Sequence, residues 1–279
     1  MSIPILDNHI HLQPSGRNVE ALREFSRAGG THVILSHLPY DEMRIREAKD
    51  FRASYEITMD LAIRARRHTD VGVFITVGPY PVLLLGLAEE FGVERAVEIM
   101  KDGMDIAGEI VQEGKAVAIG EIGRPHFPVA PEIARASNEI MRYGMEVAAG
   151  LGCAVVLHTE SASPESMREI AGIADSAGLD RGKVVKHYSP PLVLEEENHG
   201  LFPSVLASRS SVSEALRKGT RFVMETDYLD DPSRPGAVMS ITTVPKRTKA
   251  LLASGSVSEE ILWRVHKDNA EKVYGITIE

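Results

Sequence analysis

Short apolar runs alternate with longer amphipathic stretches along most of the chain. The apolar runs cover residues 3–7, 32–36, 71–77, 116–121, 154–158, 184–187, 202–207 and 222–227. Each is brief, rich in Val and Ile, and lacks a clean polar/apolar alternation, which is how parallel strands buried on both faces read. Between them the spacing predicts helices over residues 19–28, 93–113, 132–149, 164–177, 213–218 and 258–274. Asn18, Pro131 and Ser258 stand at helix starts, and Gly29, Gly114, Gly150, Gly178 and Gly219 follow helix ends. The strand ends recur about 31 residues apart on average, the size of a βαβ unit. Residues 38–51, with Asp41, Glu42, Arg44, Arg46, Glu47 and Lys49, read as a solvated helix or loop. Residues 228–236, rich in Asp and Pro, are too long for a tight turn and are expected to form a lip.

An alternating βα chain forms either an open doubly wound sheet or a closed barrel. Periodicity does not separate the two, but the residues at the strand ends do. The first run leads into Asp7-Asn8-His9-Ile10-His11. Positions i and i+2 of a strand share a face, so His9 and His11 project together, with Asp7 on the same side. Two imidazoles so placed can share a divalent cation. Later runs end in Gly120-Glu121-Ile122-Gly123, Leu157-His158-Thr159-Glu160, Lys186-His187-Tyr188-Ser189 and Met224-Glu225-Thr226-Asp227. A buried ionisable group at a strand end costs free energy unless it is paired or metal-bound. Five such ends in one chain point to a shared metal site. Groups on the first and last runs meet easily only if the sheet closes on itself. The expected fold is therefore α/β, a (β/α)8 TIM barrel with its chemistry at the carboxyl ends of the strands, in a single domain spanning residues 1–279.

Composition narrows the chemistry. A length of 279 residues suits one barrel. Lys plus Arg total 31 against 40 Asp plus Glu, a net charge of −9. That balance argues against a stable nucleic-acid partner held through phosphates, although a bound cation still permits a nucleic-acid substrate. The one cysteine, Cys153, excludes an intrachain disulfide and a Cys-rich zinc site, and reads as a small buried hydrophobe. The start Met1-Ser2-Ile3-Pro4 lacks the basic and apolar regions of a signal peptide, and no apolar run approaches the ~20 residues of a membrane span. No membrane partner and a cytoplasmic location are expected.

The ordered set HxH, GEIG, His, His and ETD resembles the TatD family of metal-dependent hydrolases, within the amidohydrolase superfamily. The resemblance runs from Asp7 to Asp268-Asn269-Ala270. It implies that His9 and His11 bind a first divalent ion completed by Asp227, that Glu121 bridges to a second, and that His158 and His187 hold that second ion. The cofactors implied are two divalent ions of the zinc, manganese, iron or magnesium kind. The sequence departs from the family where Arg124-Pro125-His126 replaces Leu-Asp after GEIG, where Glu160 stands near the usual Arg, and where Tyr188-Ser189-Pro190-Pro191 replaces Phe-Ser-Gly. Many superfamily relatives carry a carboxylated Lys on the fourth strand; here Lys115 lies at the opposite end from Glu121.

The function this implies is hydrolysis by a metal-activated water, foremost of phosphoester or phosphodiester bonds in a small-molecule, nucleotide or nucleic-acid-like ester substrate. Hydrolysis of a lactone, cyclic amide or phosphotriester is the alternative enzyme reading, and a non-catalytic metal-binding scaffold is the third. Asp227 is expected to orient the water and accept its proton. Glu225 is read as support for the ligands or as an acid buried against a Lys or Arg. Arg124, His126 and His37 are expected to contact an anionic substrate group, with an ordinary loop salt bridge or backbone hydrogen bond as the alternative. His32 is expected to be structural, and His68, His199 and His266 to be surface or packing residues.

Overall fold

The computed structural model describes residues 3–40, 43–234 and 236–279. Asp41 and Glu42 of the charged segment lie outside the described residues. The strands are β1 (Leu6–His11), β2 (His32–Ser36), β3 (Gly72–Val77), β4 (Ala118–Gly123), β5 (Ala154–His158), β6 (Val184–Ser189), β7 (Phe202–Leu206), β8 (Val223–Glu225) and β9 (Tyr228–Leu229). The helices are α1 (Val19–Ala28), α2 (Ala48–His68), α3 (Leu83–Phe91), α4 (Val93–Gln112), α5 (Pro131–Leu151), α6 (Pro164–Ala177), α7 (Glu195–Asn198), α8 (Arg209–Lys218), α9 (Thr243–Ala253), α10 (Glu259–Trp263) and α11 (Asn269–Tyr274).

All pairings are parallel, in the order β8-β7-β6-β5-β4-β3-β2-β1-β9. Only Thr226 and Asp227 separate β8 from β9. This one run therefore borders β7 through Val205↔Met224 and β1 through Ile10↔Tyr228. The curled sheet with helices between its strands is a (β/α)8 TIM-barrel-like fold. Asp7 reinforces the junction: its carboxylate accepts from the Thr226 amide (2.9 Å) and hydroxyl (2.7 Å).

Several strands run past the apolar limits read from sequence. β1 covers Leu6–His11 rather than residues 3–7, and β4 and β6 continue to Gly123 and Ser189. Pairing is interrupted at the polar residues and resumes beyond them, after register shifts between Asp7 and Ile10, between Gly120 and Ile122 and between Lys186 and Ser189. The helices over Val19–Ala28 and Pro164–Ala177 match expectation. Ser208 caps α8, which begins four residues before the expected 213. Four helices, α2, α3, α7 and α9, were not expected. The charged segment 38–51 only leads into α2, whose inner face carries Phe51, Tyr55, Thr58, Ala62 and Ala65, a helical stripe weakened by Thr and Ala. The expected helix 258–274 consists of α10, a π-helical turn (Arg264–Asp268) and α11.

Two core regions frame the site. Phe25, Phe51, Tyr55, Met104, Met145 and Ile170 belong to the layer between sheet and helices. Leu6, Ala118, Ala154, Phe202 and Val223, each at the start of its strand, pack with Val273, Tyr274 and Ile278. The C-terminal segment thus covers the amino ends of the strands. Asn269 fixes it by donating to the carbonyls of Thr220 (2.6 Å) and Phe222 (2.8 Å). The carboxyl ends remain open. Among the described residues no helix is long and apolar enough to cross a membrane.

Candidate metal centre

Alternation on β1 turns His9 and His11 to the same side, and their Nε2 atoms lie 3.1 Å apart. Glu121 enters from β4, with Oε1 3.6 Å from His9 Nε2 and Oε2 3.6 Å from His11 Nε2. Asp227, between β8 and β9, places Oδ1 4.0 Å and 3.5 Å from the same nitrogens. Across the centre, His158 Nδ1 and His187 Nε2 each lie 3.2 Å from Glu121 Oε1. The six expected ligands therefore converge. Ligand atoms of His9, His11 and Asp227 lie within 4.8 Å of one another, as do those of Glu121, His158 and His187. Gly123 keeps β4 close to β5: at φ 132° it takes a conformation that side chains avoid, and a Cβ there would sit 2.3 Å from the His158 carbonyl oxygen. Asp227 and Tyr188 both have φ 52° without being glycine, strained backbone beside the site.

The outer nitrogens decide whether a cation fits. His11 Nδ1 lies 2.9 Å from the Ser36 carbonyl, which only accepts, so that nitrogen carries the proton. His187 Nδ1 donates to Glu225 at 3.0 Å. Both rings then present bare Nε2 lone pairs to the centre. His9 Nδ1 is held by the Ser36 hydroxyl at 3.1 Å, and His158 Nε2 lies 2.9 Å from His126 Nδ1 and 3.4 Å from the Tyr80 hydroxyl. Lone pairs and carboxylate oxygens facing one another in a buried space repel unless a cation lies between them. The donor set fits a divalent ion.

Without that ion, protons take over part of its role. Burial opposes charge on His11, yet the hydrogen bond to Asp227 and the charges of Glu121 and Asp227 lift it to about 9. Burial and the charge of His9 hold His187 well below the usual imidazole range. Burial opposes ionisation of Glu121, but the imidazoles of His187 and His9 and a hydrogen bond from His158 hold it well below the ordinary carboxylate range. Asp227 is likewise held down against its burial, chiefly by His11. Glu225 is pushed up to about 7 by burial while accepting from His187, the Tyr188 amide (2.7 Å) and the Ser204 hydroxyl. It braces a ligand rather than meeting a Lys or Arg. Asp7 shares the buried side but is directed to Thr226, and burial pushes it up to about 8.

The other expected contacts separate. His126 stands at the pocket edge against His158. Arg124 turns aside: one guanidinium nitrogen donates to Glu169 at 2.8 Å and the other lies 3.1 Å from Glu160. His37 is buried behind the site, bonded to the Thr58 hydroxyl (2.8 Å) and edge-on to Tyr40 and Tyr55. His266 is fully buried packing, and His68 is exposed. The expected lip borders the mouth through Leu229 and Arg234, on the wall of a cavity of about 350 Å³ that Tyr80 and Tyr188 also line, while Pro235 lies outside the described residues. Sequence reasoning assigned no role to Tyr80, Tyr188 or Lys186. Lys186 sits one position before a ligand on a strand whose neighbours are apolar, which was the available signal.

A sequence profile described as TatD related DNase matches residues 6–275. The chain is 38% identical to an uncharacterized protein, MJ1127, of Methanocaldococcus jannaschii, over 100% of this chain and 98% of that one. Its fold is similar to that of the phosphotriesterase homology protein of Escherichia coli (TM-score 0.62, 16% identity, 98% of each chain). It is equally similar to a TatD-like protein of Archaeoglobus fulgidus (TM-score 0.62, 18% identity, 97% of this chain and 100% of that one). With the match running through every strand that carries one of the six clustered side chains, the chain belongs to the TatD family of metal-dependent hydrolases.

Proposed function

We propose that the protein cleaves phosphoester or phosphodiester bonds with two divalent ions, one held by His9, His11 and Asp227, the other by His158 and His187, with Glu121 shared between them. The whole of residues 1–279 acts as one hydrolase barrel in this reading. The observation that carries it is the convergence of four imidazoles and two carboxylates with the Nε2 lone pairs of His11 and His187 turned inward. Bound divalent ions supply Lewis acidity and a water acidified to near neutral pH.

The chain's own residues divide the remaining work. Glu121 and Asp227 are the two acids of the centre, but the Glu121 side chain is 1% exposed and that of Asp227 17%. Asp227 is the more open of the two, so it accepts the proton of the attacking water at Oδ1. His11, bonded to the Ser36 carbonyl, fixes the orientation of that carboxylate. Glu225 and Ser36 hold imidazoles in register from behind. The family's description as DNases, and the phosphate in the active site of the Escherichia coli structural neighbour, support a phosphoester as the bond cleaved.

The test is a panel of aryl phosphodiesters, phosphomonoesters, carboxyl esters and lactones, assayed with metal-loaded wild-type protein and Asp227→Asn. The phosphoesters are expected to turn over fastest, and the variant to lose at least about 10²-fold in kcat, in line with loss of a positioned base. Faster turnover of lactones replaces the phosphoester reading with the alternative one, and an unchanged kcat in the variant removes the proposed base.

A further inference from the structure

Beside the metal centre lies a buried lysine whose ammonium no carboxylate among the described residues meets directly. Lys186 is 1% exposed and lines a cavity of about 400 Å³ with His126, Glu160, Ser161 and Tyr188, against the ligands His158 and His187. An ammonium has three donors, and here one meets the carbonyl of His187 at 2.5 Å. Each acid nearby is engaged elsewhere. Glu160 faces Arg124, Glu225 takes His187, Tyr188 and Ser204, and Glu121 faces the imidazoles. Among the described residues Lys186 has no ion-pair partner. A strand buried on both faces calls for an apolar residue here, as at Val184 and Val185, and a buried ammonium without a direct ion pair costs stability even with carboxylates in the neighbourhood.

Position argues for what offsets that cost. Lys186 and His187 line the same cavity, and the Lys186 ammonium is held at the His187 carbonyl, away from the ring that faces Glu121. The group undergoing cleavage belongs at the ligands, which leaves the Lys186 wall for another part of the same molecule. We propose that Lys186 binds an anionic group of the substrate other than the ester being cleaved, so that preferred substrates carry a second carboxylate or phosphate. This rests on the hydrolase reading above and adds the substrate class. Lys186 is a specificity residue in this account.

Two substrate pairs separate the anion sources. One is 4-nitrophenyl butyrate with 4-nitrophenyl hemisuccinate, which differ by a terminal carboxylate. The other is 4-nitrophenyl ethyl phosphate with its analogue bearing a terminal phosphate on the ethyl group. With metal-loaded wild-type protein, the doubly functional member of at least one pair is expected to show about tenfold higher kcat/KM, mainly through KM, and the responsive pair names the anion. Lys186→Met is expected to bring that ratio to near one, whereas Lys186→Arg keeps part of it. A wild-type ratio near one in both pairs, or an equal ratio in wild type and Lys186→Met, overturns the proposal. Thermal melts establish folding of each variant, with Lys186→Gln as the neutral replacement if Lys186→Met does not fold. Absence of turnover with every substrate defeats the hydrolase reading alone. Calorimetric titration of the same metal-loaded proteins with inorganic phosphate then decides on Lys186. About tenfold weaker binding by the neutral variant supports the anion site, and equal affinity overturns it.

Discussion

His11 and His37 are both buried, lie near the same strand ends and differ sharply in character. Against its own burial, His11 is lifted to about 9 by Asp227 and Glu121. Burial pulls His37 down to about 3, with hydroxyls of Thr58 and Ser54 as its partners. His266 repeats the second pattern: it is bonded to the Thr248 hydroxyl at 2.8 Å, Nδ1 lies 3.2 Å from Leu6 backbone atoms, and burial lowers it to about 4. Burial therefore does not separate the proposed ligand histidines from the packed ones. What separates them is a carboxylate close by on a facing strand, as Glu121 is to His11, where His37 and His266 meet hydroxyls.

The largest expected effect comes from removing the acid that both halves of the centre share. Glu121→Gln keeps the shape but loses the charge that His9, His11, His158 and His187 face. Metal retained after dialysis is expected to fall below one equivalent and turnover by about 10³-fold or more. Retention of the wild-type metal content would erase the distinction between the two kinds of histidine.

The neutral class makes an opposite demand on pH. The folded-state value of His266 lies below the unfolded value near 6.5, so the unfolded chain binds the extra proton between about pH 4 and 6.5. The stability contributed by keeping His266 neutral is complete above that window and is lost as pH falls through it, by roughly 3 kcal/mol at most. Urea unfolding of wild type and His266→Gln at pH 7 and pH 4.5 should show a shallower acid loss in the variant. Equal slopes would place the acid sensitivity elsewhere.

Smaller effects sharpen the boundary. Glu225→Gln weakens the acceptor that fixes His187, and metal affinity should drop about 10–100-fold without loss of fold, as measured by competition with a chelator. His126→Ala should cost about tenfold or less, because Tyr80 also lies within reach of His158 Nε2. A loss as large as that of Glu121→Gln would make His126 a ligand in its own right.

The gathering of the six proposed ligands was legible in the sequence because they stand at strand ends and the repeat itself carries the fold. His9, His11, Glu121, His158, His187 and Asp227 needed only barrel closure to meet. Partners that come from helices or from far along the chain were not legible. Arg124 donates to Glu169, 45 residues away on α6 with α5 and β5 between them, and nothing in the local sequence names that partner. His37 follows Ser36, whose carbonyl faces His11, so its own ring turns toward α2, a helix whose Thr- and Ala-containing inner face hid it from a pattern of strong hydrophobes. For Glu225 the sequence allows support for the ligands or an acid against a Lys or Arg, and its position two residues before Asp227 does not tell which; the facing strands decide it, with His187 and Ser204 as its partners.

The central claim is that the six gathered side chains hold divalent cations. Anomalous diffraction from crystals loaded with manganese or zinc reads this directly. The account predicts one peak among His9, His11 and Asp227 and a second among Glu121, His158 and His187. Crystals in which those six side chains stay paired with one another, while the only peaks lie elsewhere on the protein, would contradict it.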